Sequence, residues 1–168
     1  WGGTLNTGNG GTFVGLRSAV AAEATVVYLS TSGEIYFYDG PANVEVGSGV
    51  TITQQWTHIA LTRESGLWRI FVNGTLATTR NSSTDLGSSQ PCQIGQAING
   101  TTTSYNGYIS DVRIVKGTAV YTGNFTPPTA PLSSSGSTLH IKGTDASIID
   151  KSQGGNLQLI GNTTGSTT

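Results

Sequence analysis

Hydrophobic and polar residues alternate through the middle of this chain, most regularly in residues 56–79. Residues 56–63 and 67–72 each have a period of two, which predicts two β-strands because successive side chains of a strand point to opposite faces. Asn73-Gly74 follows, and both residues tolerate the positive φ angles of a type I′ turn. The pattern therefore predicts an antiparallel hairpin that continues into a third strand at residues 76–79.

Similar short runs occur on both sides of this element. Residues 25–30 and 34–39 predict a second hairpin, with Ile35 and Phe37 on one face of its second strand and the neighbouring tyrosines on the other. The remaining predicted strands are residues 13–16, 43–46, 50–53, 92–94, 105–116, 138–142 and 156–160. Roughly ten to twelve short strands separated by turns, with no convincing helix, predict an all-β sandwich or barrel.

Composition narrows the class of protein. The chain has 168 residues, the size of one domain. Charged residues make up only 10% of it and Gly is abundant, so its polar surface consists mainly of hydroxyls and amides, as is common in extracellular and virion proteins. The net charge of −1 argues against nucleic acid as a partner. No apolar run is long enough to insert into a membrane as a helix.

The chain contains very few sulfur-containing residues. Cys92 is the single cysteine, so the chain forms no internal disulfide and its fold depends on packing. Methionine is absent, which predicts a processed form or a piece of a longer protein.

Three segments together resemble a known family. They are WTHIALTRESGLWRIFVNGTLATT at 56–79, Ile94-Gly95, and GYISDVRIVKGTAVYTGNFTPPTAPL at 107–132. This combination resembles the laminin G-like branch of the concanavalin A-like lectin/glucanase superfamily, and it is similar to modules of bacteriophage tail fibres and bacterial surface proteins. The resemblance implies a two-sheet antiparallel jelly-roll sandwich, which agrees with the strand pattern.

The C-terminal part departs from the family pattern. A strand pair that usually precedes the domain comes after it here, at residues 138–162. We expect residues 1–168 to form a single domain in which this pair folds back and closes an open sheet edge. The pair could instead belong to a following repeat, or a neighbouring copy could donate the missing strand.

Catalytic patterns are weak in this sequence. Hydrolysis of a glycan needs two carboxylates close together, but the acidic residues are scattered singly, and Glu34 and Asp39 point to opposite faces of their strand. His58 and His140 are each isolated on a strand, where a packed or hydrogen-bonded role is the simpler interpretation. Cys92 has no evident activating base, so a small buried side chain is its default role. The sequence predicts that the protein is not an enzyme.

A sugar-binding site would need an aromatic platform beside amide and hydroxyl groups. Tyr36 and Tyr38 share a face of one predicted strand, and Tyr28 on the adjoining strand could lie beside them. Tyr105, in the loop 96–106, marks an alternative site at the rim. The competing interpretation is that these tyrosines only cover a sheet or fill the core, and Trp56 and Trp68 are predicted to be core residues.

Calcium is the candidate cofactor, because many relatives hold it with Asp, Asn and backbone carbonyl oxygens. Asp111, in the family-like motif SDVRI, and Asp39 are the candidate ligands. The alternative for Asp111 is a structural role, in which its carboxylate ties down a loop or pairs with Arg113 or Arg63.

The sequence favours a non-catalytic recognition module that binds a glycan or another surface ligand and is displayed on a virion or on a cell surface. The alternative is a structural or assembly module whose contacts are with copies of itself. The fold alone does not separate these functions, since many activities share this sandwich.

Overall fold

The structure is a computed structural model that describes residues 11–16, 25–40, 42–83, 92–96, 104–143 and 148–151. These residues form eleven β-strands and no helix, which confirms the all-β prediction. The strands are β1 Gly11–Leu16, β2 Thr25–Leu29, β3 Glu34–Asp39, β4 Val44–Thr51, β5 Ile59–Glu64, β6 Leu67–Val72, β7 Thr75–Asn81, β8 Gln93–Ile94, β9 Val112–Ile114, β10 Leu139–Gly143 and β11 Ile148–Asp150. In the part of the chain that the structure describes, no helix is long and apolar enough to cross a membrane.

The chain divides into two compact units. The first unit comprises Trp1–Tyr108 and Tyr121–Pro127, and the second comprises Ile109–Val120 and Pro128–Thr168. The first unit contains a five-stranded sheet in the order β4-β3-β2-β1-β8 and a three-stranded sheet in the order β5-β6-β7. Neighbouring strands in both sheets are antiparallel. The prediction that 1–168 is a single domain stays a prediction.

The inner faces of the two sheets of the first unit pack against each other. Phe37 of β3 is 0% exposed, and its ring lies 4.6 Å from the ring of Trp68 on β6. Ile35 and Ile70 are buried beside them on the same two strands. The predicted two-sheet antiparallel sandwich is therefore confirmed, together with the prediction that Trp68 is a core residue.

Trp56 was predicted to lie in the core, and this is wrong, since its side chain is 63% exposed. The strand begins at Ile59 rather than at residue 56. Before it, the Gln55 N–H donates to the Thr53 carbonyl and the Thr57 hydroxyl donates to the Gln55 carbonyl. These local turns replace the extended backbone that would have placed Trp56 in line with the core-facing residues.

The outer face of the three-stranded sheet is covered by Tyr121–Pro127, which we call the strap. Phe71 is fully buried, and its ring lies 5.5 Å from Phe125 and 6.4 Å from Tyr121. Tyr121 and Phe125 stack on each other at 3.5 Å, and His58 packs edge-on against both rings. The strap explains why β6 is apolar on both faces, which the alternation alone did not indicate.

Hydrogen bonds hold the strap on the sheet. They run from Thr62 Oγ1 to the Tyr121 carbonyl at 2.8 Å, from the Leu76 N–H to Asn124 Oδ1 at 2.8 Å, and from the Phe125 N–H to the Gly74 carbonyl at 2.9 Å. The Gly74 turn therefore has a second function beyond closing the hairpin, because its backbone is the docking point of Phe125.

The second unit contains a three-stranded antiparallel sheet in the order β11-β10-β9. β10 confirms the strand predicted at 138–142, whereas β11 falls between the two predicted strands of this region. The strand predicted at 156–160 lies outside the described residues. The long strand predicted at 105–116 is wrong, because only Val112–Ile114 is a strand. Asp111 has a φ of 57°, and this left-handed conformation ends the extended backbone just before β9.

Substitution of Gly74 by alanine is expected to detach the strap. Gly74 has a φ of +76°, and an added Cβ would overlap the Phe125 carbonyl oxygen, so the variant combines backbone strain with a clash against main-chain atoms. We expect a loss of about 2 kcal/mol or more in the free energy of unfolding, measured by urea denaturation.

Gly49→Ala is the matched control for this experiment. Gly49 also has a positive φ, of +70°, but an added Cβ there meets nothing within 4 Å. Its loss of stability should be limited to about 1–2 kcal/mol of backbone strain. If the two variants lose the same free energy of unfolding, the contact between the hairpin and the strap does not contribute to stability.

Acidification is expected to destabilise the strap through His58. Desolvation lowers the pKa of His58, and its Nδ1 atom is buried without a hydrogen-bond partner among the described residues. At a pH below the ordinary histidine pKa of about 6.5, the unfolded chain therefore binds a proton at His58 more readily than the folded chain does. The free energy of unfolding falls as the pH drops below about 6.5, and His58 has no effect on it at higher pH. We expect the melting temperature to fall more for the native chain than for His58→Phe between about pH 7 and about pH 5. Parallel curves for the two proteins would contradict this assignment.

Candidate functional site

Three of the four tyrosines predicted to bind ligand come together on the outer face of the five-stranded sheet. Tyr28 of β2 is directly opposite Tyr36 of β3 in the strand register, and their rings stack at 5.5 Å with an interplanar angle of 23°. Tyr38 follows on the same face of β3, opposite Val26. All three side chains are half-buried, so their rings remain accessible from solvent. We call this surface, together with Glu34, Glu45 and Asn43, the tyrosine face.

The core on the other side of β3 determines which residues form this face. Ile35, Phe37 and Asp39 are all 0% exposed because they point between the sheets. Since successive side chains alternate, Glu34, Tyr36 and Tyr38 must point outward. The tyrosine face is thus carried on a strand whose inner side chains are held by the sandwich core.

A glycine on β4 makes room for the aromatic ring and for a carboxylate. Gly47 is directly opposite Tyr36 in the register of β3 and β4. A Cβ on Gly47 would lie 3.2 Å from Tyr36 Cε1 and 2.5 Å from Glu34 Oε1. The absence of a side chain at Gly47 therefore lets the Tyr36 ring and the Glu34 carboxylate lie across the neighbouring strand.

Hydrogen bonds fix the polar groups of the tyrosine face. The Tyr28 hydroxyl donates to Glu45 Oε1 at 2.7 Å, and the Tyr38 hydroxyl donates to Asn43 Oδ1 at 2.9 Å. Glu34 Oε1 accepts the backbone N–H of Gly49 at 2.8 Å, across an irregularity in the β3–β4 register. Both carboxylates thus hold the rings and the edge strand in place.

The two carboxylates also set the electrostatics of the rings. Burial is the largest cause of the raised pKa of Tyr28, followed by its hydrogen bond to Glu45 and the charge of that group. The negative charge of Glu34 is the largest cause of the raised pKa of Tyr36. Both tyrosines therefore remain protonated at neutral pH, and their electron-rich rings lie in a negative local field.

Sequence reasoning missed four members of this surface: Glu34, Glu45, Asn43 and Gly47. It treated the acidic residues as scattered singly, whereas the register of β2, β3 and β4 brings Glu34 and Glu45 to the same tyrosine pair. A signal was present in β4, since Glu45, Gly47 and Gly49 share the face opposite to Val44 and Val46. It could be used only with the register between the strands in hand.

Tyr105 packs against Phe13 of β1 rather than joining the other three tyrosines. Its ring lies edge-on at 5.1 Å from the Phe13 ring, and burial raises the pKa of Tyr105 to about 12. Most of the loop 96–106 lies outside the described residues. A ligand-binding role for Tyr105 stays a prediction.

The first candidate calcium ligand, Asp39, faces the core of the first unit. Its carboxylate is fully buried and forms an ion pair with Arg80 Nε at 3.4 Å. This confirms the expectation that Glu34 and Asp39 point to opposite faces. The pairing balances the charge of Asp39 with that of a cation of the chain itself.

The second candidate, Asp111, belongs to the second unit. Its Oδ2 accepts the Leu132 N–H at 2.7 Å, and its Oδ1 lies 2.6 Å from Nε2 of His140, which is 1% exposed. The structural interpretation, a carboxylate that ties down a loop, is confirmed, and within the second unit its partners are Leu132 and His140 rather than Arg113. Pairing with Arg63, which belongs to the first unit, stays a prediction. His140 is a buried, hydrogen-bonded strand residue, as predicted.

Calcium remains a predicted cofactor. Asp39 and Asp111 are both bound by donors of the protein, and the described residues contain no group of three or more His, Cys, Asp or Glu side chains that could hold a metal ion. These carboxylates do not fit the six to eight oxygen ligands that calcium takes.

The described residues offer no activated thiol. Burial raises the pKa of Cys92 to about 11, so its thiolate is scarce at neutral pH. Its side chain is only partly buried, and the predicted role as a small buried side chain stays a prediction.

The comparisons with known proteins agree with this architecture. A laminin G family model, described as the concanavalin A-like lectin/glucanases superfamily, matches residues 4–120. No curated protein and no solved structure gave a significant match. This superfamily includes mainly non-catalytic binding modules, with some glycosidases among its members, and it indicates a module that binds carbohydrate or another ligand. Its match to most of the chain and the two packed antiparallel sheets lead to one conclusion: the chain belongs to the concanavalin A-like lectin/glucanase superfamily.

Proposed function

We propose that the chain is a non-catalytic carbohydrate-binding module that takes its ligand on the tyrosine face. The observation that carries the proposal is the stacked pair of Tyr28 and Tyr36, flanked by oriented acceptors and accessible from solvent. The module is displayed outside the cell, on a virion component such as a tail fibre or on a cell surface. The low charge content and the resemblance of residues 56–132 to modules of tail fibres and surface proteins support this location.

The chemistry of the tyrosine face suits a sugar ring. One face of a pyranose ring exposes C–H groups that pack on aromatic rings, while its hydroxyls need hydrogen-bond donors and acceptors at the edge. Tyr28, Tyr36 and Tyr38 provide the rings, and Glu34, Glu45 and Asn43 provide acceptors around them. Because these side chains project from paired strands, little conformational entropy is lost when a ligand binds.

A binding role fits the carboxylates better than a catalytic role. Glycoside hydrolysis places a carboxylic acid and a second carboxylate on either side of the scissile bond. Here Glu45 accepts the Tyr28 hydroxyl and Glu34 accepts the Gly49 N–H, so both groups help to build the platform from which they project. We therefore expect no release of reducing ends from any oligosaccharide that the protein binds.

Removal of the Tyr36 ring is expected to weaken glycan binding strongly. Truncation of a central aromatic anchor costs about 2 kcal/mol, which is roughly a 30-fold rise in Kd. We would screen neutral and charged oligosaccharides on a glycan array, then compare the native chain with Tyr36→Ala by calorimetry. Tyr108→Ala, which removes a 53%-exposed tyrosine from outside the tyrosine face, should bind as the native chain does.

Gly47→Ala tests the same site without removing any ligand-contacting group. The added methyl group displaces the Glu34 carboxylate and crowds the Tyr36 ring, so we expect binding to weaken several-fold. Gly15→Ala on β1 of the same sheet meets nothing within 4 Å and is the matched control. If both Tyr36→Ala and Gly47→Ala bind the glycan with the affinity of the native chain, the binding site lies elsewhere.

The edge strand β5 favours the alternative function, a structural module that assembles with copies of itself. In the described part of the chain, β5 pairs with β6 alone and stands at the edge of the three-stranded sheet. An edge strand can accept a strand from another chain.

Light scattering at several protein concentrations separates the two functions. A mass that stays that of one chain at every concentration is expected for the binding module. A mass that rises with concentration, without binding to any glycan on the array, would favour the assembly module.

A further inference from the structure

We propose that the tyrosine face selects amino sugars whose amine is free and protonated, such as glucosamine residues, over neutral sugars and over sugar acids. This inference rests on the proposed function, because it assumes that a glycan lies on Tyr28 and Tyr36. It adds the chemical class of the ligand. The observation behind it is a stacked aromatic pair beside two carboxylates that no described cation of the first unit pairs with.

The described cations of the first unit are all engaged away from this face. Arg63 lies over the Trp68 ring, Arg69 pairs with Glu64, and Arg80 pairs with Asp39. The described lysines all belong to the second unit. Among the described residues, no ion pair involves Glu34 or Glu45. Among the described residues of the first unit, the tyrosine face is thus a negative surface, in a chain that has few charges.

The carboxylates keep capacity for a further donor. Glu34 receives the Gly49 N–H on Oε1, and Glu45 receives the Tyr28 hydroxyl on Oε1. A carboxylate has about four acceptor sites on its two oxygens, so each of these hydrogen bonds occupies only a part of it. An ammonium group, with three N–H donors, can therefore bind either carboxylate without displacing the bonds that hold the platform.

The rings attract the same group. A cation within about 6 Å of an aromatic ring centre is attracted by the negative face of the ring. Tyr28 and Tyr36 provide two such rings, and the negative charges of Glu34 and Glu45 act on both of them. A protonated amine on a sugar that packs against these rings would interact with a ring and a carboxylate together. N-acetylation removes that charge, and a uronic acid would bring like charges together.

Oligosaccharides that carry positive, neutral or negative charge test the inference. We would measure, at low salt, binding of equal-length oligomers of glucosamine, N-acetylglucosamine and galacturonic acid by calorimetry, at a pH where the sugar amine is protonated. An exposed ion pair and an exposed cation–π contact together predict about tenfold tighter binding of the glucosamine oligomer than of its N-acetylated form. The galacturonic acid oligomer should bind more weakly than both, and added salt should reduce the preference for the amine.

The double variant Glu34→Gln, Glu45→Gln removes the charges and keeps side chains that can accept the same hydrogen bonds. We expect it to bind the glucosamine oligomer about as weakly as the N-acetylated one, because the preference for the amine depends on the two negative charges. Glu64→Gln is the matched control, because Glu64 is a partly exposed carboxylate on the other sheet, beside Arg69. It should leave the preference for the amine unchanged.

Each outcome decides between the inference and the proposed function. Equal binding of all three oligomers, weakened by Tyr36→Ala, would overturn the charge preference and leave the carbohydrate-binding function standing. Preference for the acidic oligomer would also overturn it. Binding of a lysine oligopeptide as tightly as the glucosamine oligomer would show that charge alone is recognised, which contradicts selection of a sugar. Absence of binding to every glycan would remove the proposed function and this inference with it.

Discussion

The contact between Phe37 and Trp68, at the centre of the sandwich, is the constraint on which the first unit depends. It fixes which side of β3 faces inward, because a strand that buries Phe37 must also bury Ile35 and Asp39. The same geometry sends Tyr36 and its neighbours outward. The candidate binding surface is therefore a consequence of core packing, and a one-residue shift in the register of β3 would turn the tyrosines into the core and expose Phe37.

The outer faces of the two sheets of the first unit differ in whether they are covered. The three-stranded sheet buries Phe71 beneath the strap, whose backbone docks on the Gly74 turn. On the five-stranded sheet, Tyr28 and Tyr36 remain half exposed. An aromatic pair that only completed the core would be expected on a covered face, as Phe71 is. The open aromatic face is consistent with the use of this sheet for recognition.

Charge is sparse in this chain, and its positions are informative. Each described arginine of the first unit either packs on an aromatic ring or forms an ion pair; their partners are Trp68, Glu64 and Asp39. Glu34 and Glu45 instead orient the tyrosine face by accepting hydrogen bonds, and no described cation neutralises them. Among the described residues of this unit, the carboxylates without a paired cation therefore lie beside the exposed aromatic rings. Their structural role is thus linked to ligand selection.

Local periodicity by itself determined the all-β class, the hairpins at Ser32-Gly33 and Asn73-Gly74, and the inward and outward residues of β3, because each depends on neighbours within a few residues. Tertiary structure decided the contacts between distant strands. The register between β2, β3 and β4 placed Glu45 and Gly47 beside Tyr28 and Tyr36, and the strap buried the second face of β6. Two further differences are local: turns left Trp56 exposed, and the left-handed backbone at Asp111 shortened a predicted strand, neither of which the alternation indicates. Contacts between residues far apart in the chain leave no periodic trace in the sequence, and for this reason the ring pair was predictable while its carboxylates were not.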